Sequence, residues 1–208
     1  MAKHIYIIRH GETAYNRMGI VQGSGVDSDL NDLGRAQAQA FFEHYQHQPF
    51  EVVLTSRLKR THQTVGGFLD KGLPWEQFAE LNEISWGDLD GKPSTPELHD
   101  IYRRVVGEWR DGNLDARNGN GESAAEMGER LQRFAGHLRA RPESHILICS
   151  HGRAIRGLMC LLLEKPLKDM DQFGHDNTGL YHLTFENGAF HLQLHNDTRH
   201  LEAIIQRQ

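Results

Sequence analysis

Three apolar runs, largely β-branched, punctuate this chain: Ile5-Tyr6-Ile7-Ile8, Glu51-Val52-Val53-Leu54-Thr55 and His145-Ile146-Leu147-Ile148-Cys149. None shows the polar alternation of a half-solvated strand, so each reads as a strand buried on both faces. Each is followed by a turn or loop and then a helix-period pattern. Strands alternating with helices build a mainly parallel sheet covered on both sides. The expected fold is therefore α/β, a three-layer sandwich with helices on both faces of a mainly parallel central sheet.

The intervening segments fit that plan. From Gly34, residues Ala38, Phe41, Phe42 and Tyr45 repeat at helical spacing, and Pro49 closes the pattern. After the second strand, Ser56 suits an N-cap, with Leu58, Thr61, Val65 and Phe68 on the buried side of one helix. The stretch 75–81 is a candidate short edge strand. Leu98, Ile101, Tyr102, Val105 and Trp109 trace a further helix, as do Ala124, Met127, Leu131, Phe134 and Leu138, and later Ile155, Leu158, Met159 and Leu162. Near the end, Asn187-Gly188 between two apolar runs is a hairpin signal. Residues 16–31 and 111–121 have no period, and the latter, rich in Asn, Gly and Asp, reads as a flexible segment. With no repeat, linker or composition break, 1–208 reads as one domain.

Composition excludes several function classes. At 208 residues, 38% hydrophobic and 25% charged, the chain reads as a soluble globular protein. A formal net charge of −5 offers no general attraction to nucleic acid or to an anionic membrane, so neither is an expected partner. The longest apolar run, Leu158 to Leu163, is too short to span a bilayer, and the N-terminal residues do not form a secretory signal. Cys149 and Cys160 are too few for a disulfide framework, which points to the reducing cytoplasm. The 14 histidines include no zinc-site spacing, so no metal is expected and most read as surface residues.

Chemistry is expected at the strand ends. The first strand runs into Arg9-His10-Gly11-Glu12-Thr13 and the third into Ser150-His151-Gly152. Ligands of open α/β sheets bind beyond the carboxyl ends of the strands. A histidine there can act as nucleophile or base, and an arginine can grip an oxyanion with its fork of donors. Arg57, Lys59 and Arg60 would crowd positive charge into the first turn of a helix, which is unfavourable unless an anion binds. Glu83, in a loop near Trp86, is the candidate proton donor. Two histidines, two arginines and an acid at one crevice suit phosphoryl transfer.

At this point the sequence resembles the histidine phosphatase superfamily, which includes the cofactor-dependent phosphoglycerate mutases. The resemblance covers most of the chain. It rests on Arg9-His10-Gly11-Glu12-Thr13 with Asn16, on Gln22-Gly23, and on Leu30 with Leu33-Gly34. It continues through Thr55-Ser56, Leu58, Arg60, Gln63-Thr64, Leu81-Asn82-Glu83, Gly87, Gly91, Gly121-Glu122-Ser123 and Ser150-His151-Gly152. It implies a phosphoglycerate mutase-like fold in which His10 is transiently phosphorylated. Arg9, Arg60 and His151 would surround the phosphoryl group, with Asn16, Gln22, Gly23 and Gly152 bordering it. Glu83 would protonate the leaving oxygen, with no metal and no cofactor.

The same resemblance implies that residues around 84–121 cap the pocket. Lys92, Arg103, Arg104, Arg110 and Arg117 of that segment are candidates for a second anionic group on the substrate. Two departures from the family pattern stand out: Ile20, where many relatives carry arginine, and a loop over 24–29 about one residue longer than usual. The stretch Lys92 to Pro96 is poor in basic residues, and the segment between Glu83 and His151 is shorter than in the mutases. The expected activity is therefore hydrolysis of a small phosphorylated metabolite. Mutase-type phosphoryl transfer and a non-catalytic phosphate sensor are the alternatives, and a homodimer is left open.

Overall fold

The structure, a computed structural model, describes residues 2–205. The strands are β1 (Lys3–Arg9), β2 (Val52–Thr55), β3 (Trp75–Gln77), β4 (His145–Ser150), β5 (Leu180–Glu186) and β6 (Ala189–Asp197). The helices are α1 (Ala14–Arg17), α2 (Asp32–Tyr45), α3 (Lys59–Thr64), α4 (Gly66–Asp70), α5 (Pro96–Arg110), α6 (Ala124–Ala140), α7 (Gly152–Leu162) and α8 (Glu202–Ile205). Short 3₁₀ turns fill several connections, including Ala79–Leu81, Gly87–Leu89 and Leu167–Gln172.

One sheet of six strands runs in the order β3-β2-β4-β1-β5-β6. The first four are mutually parallel, β5 runs antiparallel to β1, and β6 runs antiparallel to β5. Register pairs Ile7 with Ile148 and Arg9 with Ser150 across β1 and β4, and Thr55 with Cys149 across β2 and β4. The two histidines that follow β1 and β4 are therefore neighbours by construction.

The apolar runs are split between the faces by strand pleating. Ile5, Ile7, Val52, Leu54, Ile146 and Ile148 face one core with residues of α5, α6 and α7. Tyr6, Ile8, Val53, Leu147 and Cys149 face the other, against Phe41 and Tyr45 of α2 and Phe68 of α4. This gives the expected three layers. No helix among the described residues is long and apolar enough to cross a membrane.

Several local expectations are corrected. The helix after β2 is broken at Val65 into α3 and α4, and its N-cap is Leu58, without a side-chain cap bond. Ser56 lies further upstream, where its Oγ accepts from the Leu58 amide at 3.1 Å. Helix α2 starts two residues earlier than its periodicity suggests, because Asn31 caps it by accepting from Gly34 N. The segment expected to be flexible is tied down: Ala116 O accepts from Trp109 Nε1 at 2.7 Å, and Asn118 Nδ2 donates to Trp86 O at 3.2 Å. Most of the histidines keep some exposure, but His10, His151 and His200 are buried. His4, His145 and His182 stack across β1, β4 and β5. Hydropathy counts histidine as polar, whereas its flat ring packs well on a sheet face.

Candidate active site

Residues beyond the ends of β1, β2 and β4 converge on one point. The His10 amide continues the ladder onto Ser150 O at 3.0 Å, and its carbonyl accepts from Asn177 Nδ2 at 2.9 Å. The next amide, of Gly11, donates to Thr64 Oγ1 at 2.9 Å. A side chain at Gly34 would lie 2.0 Å from Glu12 O, so α2 reaches the motif loop only because that position is glycine. The loop carrying His10 is thus held by the sheet, α3 and α2 together.

The His10 imidazole is buried, with Nδ1 2.7 Å from Gly11 O. A carbonyl can only accept, so Nδ1 carries the proton and Nε2 keeps its lone pair. Burial first, then the positive charges of Arg60 and Arg9, hold this imidazole well below its usual range. His10 is therefore a neutral base with a defined free nitrogen.

His151 lies 5.2 Å from His10 between ring centroids and is wholly buried. Its Nδ1 accepts from Arg60 Nε at 3.2 Å, so the proton sits on Nε2, 2.8 Å from Ser56 Oγ. Burial, followed by the charge of Arg60, pushes its pKa far down as well. Arg60 also donates to Val26 O at 2.6 Å and Gly23 O at 3.4 Å. Burial lowers its own pKa to about 10, against the opposing charges of Glu83 and Asp27. Of the three basic residues around the start of α3, Arg60 alone joins the site. Arg57 is exposed, and Lys59 pairs with Asp29 at 3.6 Å.

Glu83 sits at the N-terminus of α7. Its Oε1 accepts from the amides of Ile84 and Ala154, and its Oε2 from the amide of Arg153, each at 3.0 Å. Helix N-terminal amides are natural carboxylate partners, and here they fix the orientation of the acid. Arg9 is the opposite case. Its Nε is buried and has no hydrogen-bond partner among the described residues. Desolvation lowers its pKa, while Glu83 and Asp176 act to raise it.

These groups open onto a cavity of about 300 Å³ lined by Arg9, His10, Asn16, Gln22, Glu83 and Gly152. Arg60, His151 and Gly23 do not line it; the first two pack behind the lining residues, and the Gly23 amide donates to Asp90 Oδ1 at 2.6 Å. The expected site residues are thus brought together in two shells rather than one. Asn16 caps α1 with Thr13, and Gln22 bonds Thr13 Oγ1 at 2.7 Å. The remaining wall comes from Trp86, Leu89, Leu98 and Tyr102, with Ile20 and Lys92 also lining it. Among the other basic residues noted in 84–121, Arg103, Arg110 and Arg117 pair with Asp100, Asp171 and Glu126.

Sequence reasoning missed Arg153, Arg156 and His175, all of which line the cavity. The two arginines are three residues apart on α7, directly after the second histidine motif, and that spacing was the available signal. His175 follows α7 in a loop, and nothing local marks it. Burial drives its pKa down to about 3, with Arg9 and Arg156 adding to the effect.

The chain is similar to known proteins over nearly its whole length. The model of the histidine phosphatase superfamily (branch 1) matches residues 5–198. "Putative phosphoserine phosphatase 2" of Hydrogenobacter thermophilus is 26% identical over 185 residues, 88% of this chain and 90% of that one. "Probable phosphoglycerate mutase GpmB" of Yersinia pestis is 29% identical over 208 residues, covering 95% and 94%. The crystal structure of the alpha-ribazole phosphatase from Shigella flexneri superposes with a TM-score of 0.83 at 27% identity, covering 94% of this chain and 96% of that one.

Proposed function

The chain belongs to the histidine phosphatase superfamily, and on that footing we propose that it is a metal-independent phosphatase acting on a small phosphate monoester through a phosphohistidine at His10. One observation carries the reading: Nδ1 of His10 donates to Gly11 O, leaving the Nε2 lone pair free beside Arg9, whose buried Nε has no hydrogen-bond partner among the described residues. A neutral imidazole next to an unsatisfied guanidinium is a poor arrangement without an anion and a productive one with a phosphate.

The chemistry runs in two balanced steps. His10 Nε2 attacks phosphorus, the ester P–O bond breaks, and Glu83 gives its proton to the departing alkoxide. Water then attacks the phosphohistidine, Glu83 takes a proton from it, and the P–N bond breaks to return neutral His10. Arg9 neutralises the equatorial oxygens. Arg60 and His151 act from behind, holding the electrostatics and position of His10. Asn16, Gln22 and Gly152 border the phosphoryl group. Residues 84–121 serve as a cap on a single functional unit.

The bond from Gly23 to Asp90 departs from the role the resemblance gave that amide, so phosphate binding here depends more on Arg9. Two buried free thiols, Cys149 and Cys160, fit a reducing compartment, the cytoplasm. The test is phosphate release from a panel of esters in the presence of chelator. The panel includes 3-phosphoglycerate with and without 2,3-bisphosphoglycerate, with product analysis. Release with acid-labile phosphate on wild-type protein but not on His10→Ala is the expected result. Isomerisation without release would make it a mutase, and phosphate binding without any turnover would make it a sensor.

A further inference from the structure

Arg153 and Arg156 stand on the cavity wall with no part in the phosphoryl chemistry above. Arg153 is engaged through both of its terminal nitrogens. Its Nη1 donates to Asp171 Oδ1 at 2.5 Å and its Nη2 to the Tyr102 hydroxyl at 2.8 Å. Its guanidinium also lies over the rings of Tyr102 and Trp109, at 5.7 and 5.9 Å. Arg156 is not. It donates through Nη1 to the same Asp171 oxygen and through Nε to His175 Nε2, at 3.1 Å for the latter. Its Nη2 has no partner among the described residues.

The charges here do not balance. Two largely buried guanidiniums share one carboxylate, Asp171, which also serves the more exposed Arg110. His175 is held neutral by burial, so it orients Arg156 without adding or removing charge. The only carboxylate lining the cavity among the described residues is Glu83, which is held by three amides. A partly desolvated guanidinium with open donors is costly unless an anion completes it. The one terminal nitrogen left open on Arg156 suits a single carboxylate better than a phosphate dianion, which calls for more donors. Trp86, Leu89 and Leu98 supply an apolar surface in the same cavity for a short carbon skeleton.

We infer that Arg156, backed by Arg153 and Asp171, binds a carboxylate on the alcohol portion of the substrate, so that the preferred substrates are phosphate monoesters of small hydroxy acids. The inference rests on the phosphatase reading above and names its substrate class. It places the second anion on α7 rather than on the basic residues expected in 84–121.

The test compares phosphate release from 3-phosphoglycerate, glycerol 3-phosphate and propane-1,3-diol bisphosphate. The first two differ only by a carboxylate in place of a hydroxymethyl group. Wild-type kcat/KM should favour the carboxylate by roughly 10-fold or more, the value of one charge-assisted contact. Arg156→Gln should bring that ratio towards one, and Arg156→Lys should restore part of it, with thermal unfolding reporting that each variant folds. Equal kcat/KM for the first two esters in the wild type would overturn the inference while leaving the phosphatase intact. So would a preference for the bisphosphate, or a ratio untouched by Arg156→Gln. Failure to hydrolyse any ester would overturn the phosphatase reading and this inference with it.

Discussion

Arg60 Nε donates to His151 Nδ1 at 3.2 Å, and that contact decides which nitrogen of the imidazole carries its proton. Guanidinium cannot accept, so Nε2 must be the protonated atom and Ser56 Oγ its acceptor. One buried arginine thereby sets the tautomer of one histidine while its charge depresses the pKa of both.

Replacing Arg60 should therefore change a pH profile as well as a rate. After burial, the Arg60 charge is the largest cause holding both histidines low. In Arg60→Gln both pKa values rise, so more His10 is protonated at pH 6 and its nucleophilic fraction shrinks. The acid limb of kcat/KM should move to higher pH, on top of a loss of roughly 100-fold at pH 8. An unmoved limb would remove Arg60 from control of the nucleophile.

Glu83→Gln separates acid catalysis from positioning. The amide can still occupy the pocket at the N-terminus of α7 but has no proton to give to an alkoxide. Alkyl phosphates should slow by about 100-fold or more, while p-nitrophenyl phosphate, with its good leaving group, slows far less. Equal losses on both would take Glu83 out of the acid role.

Gly152→Ala tests how tightly the cavity is built. The added Cβ would lie 2.8 Å from His175 Cε1, 2.9 Å from His175 Nε2 and 3.4 Å from Glu83 Oε2. Relief requires the His175 ring to move. Stability should fall by about 1–3 kcal/mol in urea unfolding. Activity should fall further than stability explains, because a small misplacement of reacting groups is costly. Wild-type kinetics would show that the approach is idle.

His200 gives the fold an acid sensitivity away from the cavity. It is buried against Phe41, with Nε2 3.0 Å from Thr178 Oγ1, and burial lowers its pKa to about 4. Unfolded, the imidazole takes a proton near pH 6.5, whereas folded it resists until about 4. The unfolded state thus binds more protons in that window, and stability falls as pH drops through it, by up to about 3 kcal/mol. His200→Phe should reduce the difference between urea midpoints at pH 7.5 and 4.5. An unchanged difference would mean that His200 titrates alike in both states.

Much of this was legible from the chain because strand burial and helix periodicity are local properties. The runs at Ile5, Val52 and Ile146 announced β1, β2 and β4, and the Asn187-Gly188 turn announced β5 and β6. The site was legible where motif and strand end coincide, as at His10 and His151. It was not legible where a residue matters by what packs on it. The polar residues around Ser56 resemble an N-cap until Thr61 and His151 are seen to use its hydroxyl. Arg153 and Arg156 look like ordinary surface charges of an amphipathic helix until Tyr102, Asp171 and His175 surround them.

The sequence by itself determined the layers, the parallel core of the sheet and the two histidines at adjacent strand ends, because backbone periodicity and strand register reach no further than neighbouring elements. The tertiary structure alone decided which nitrogen of each histidine carries its proton, that Arg9 Nε has no partner among the described residues while Arg60 is bonded, and that two arginines of α7 share a single carboxylate. Those are matters of hydrogen-bond partners and desolvation, and both are set by side chains far apart in the chain meeting where water has been excluded.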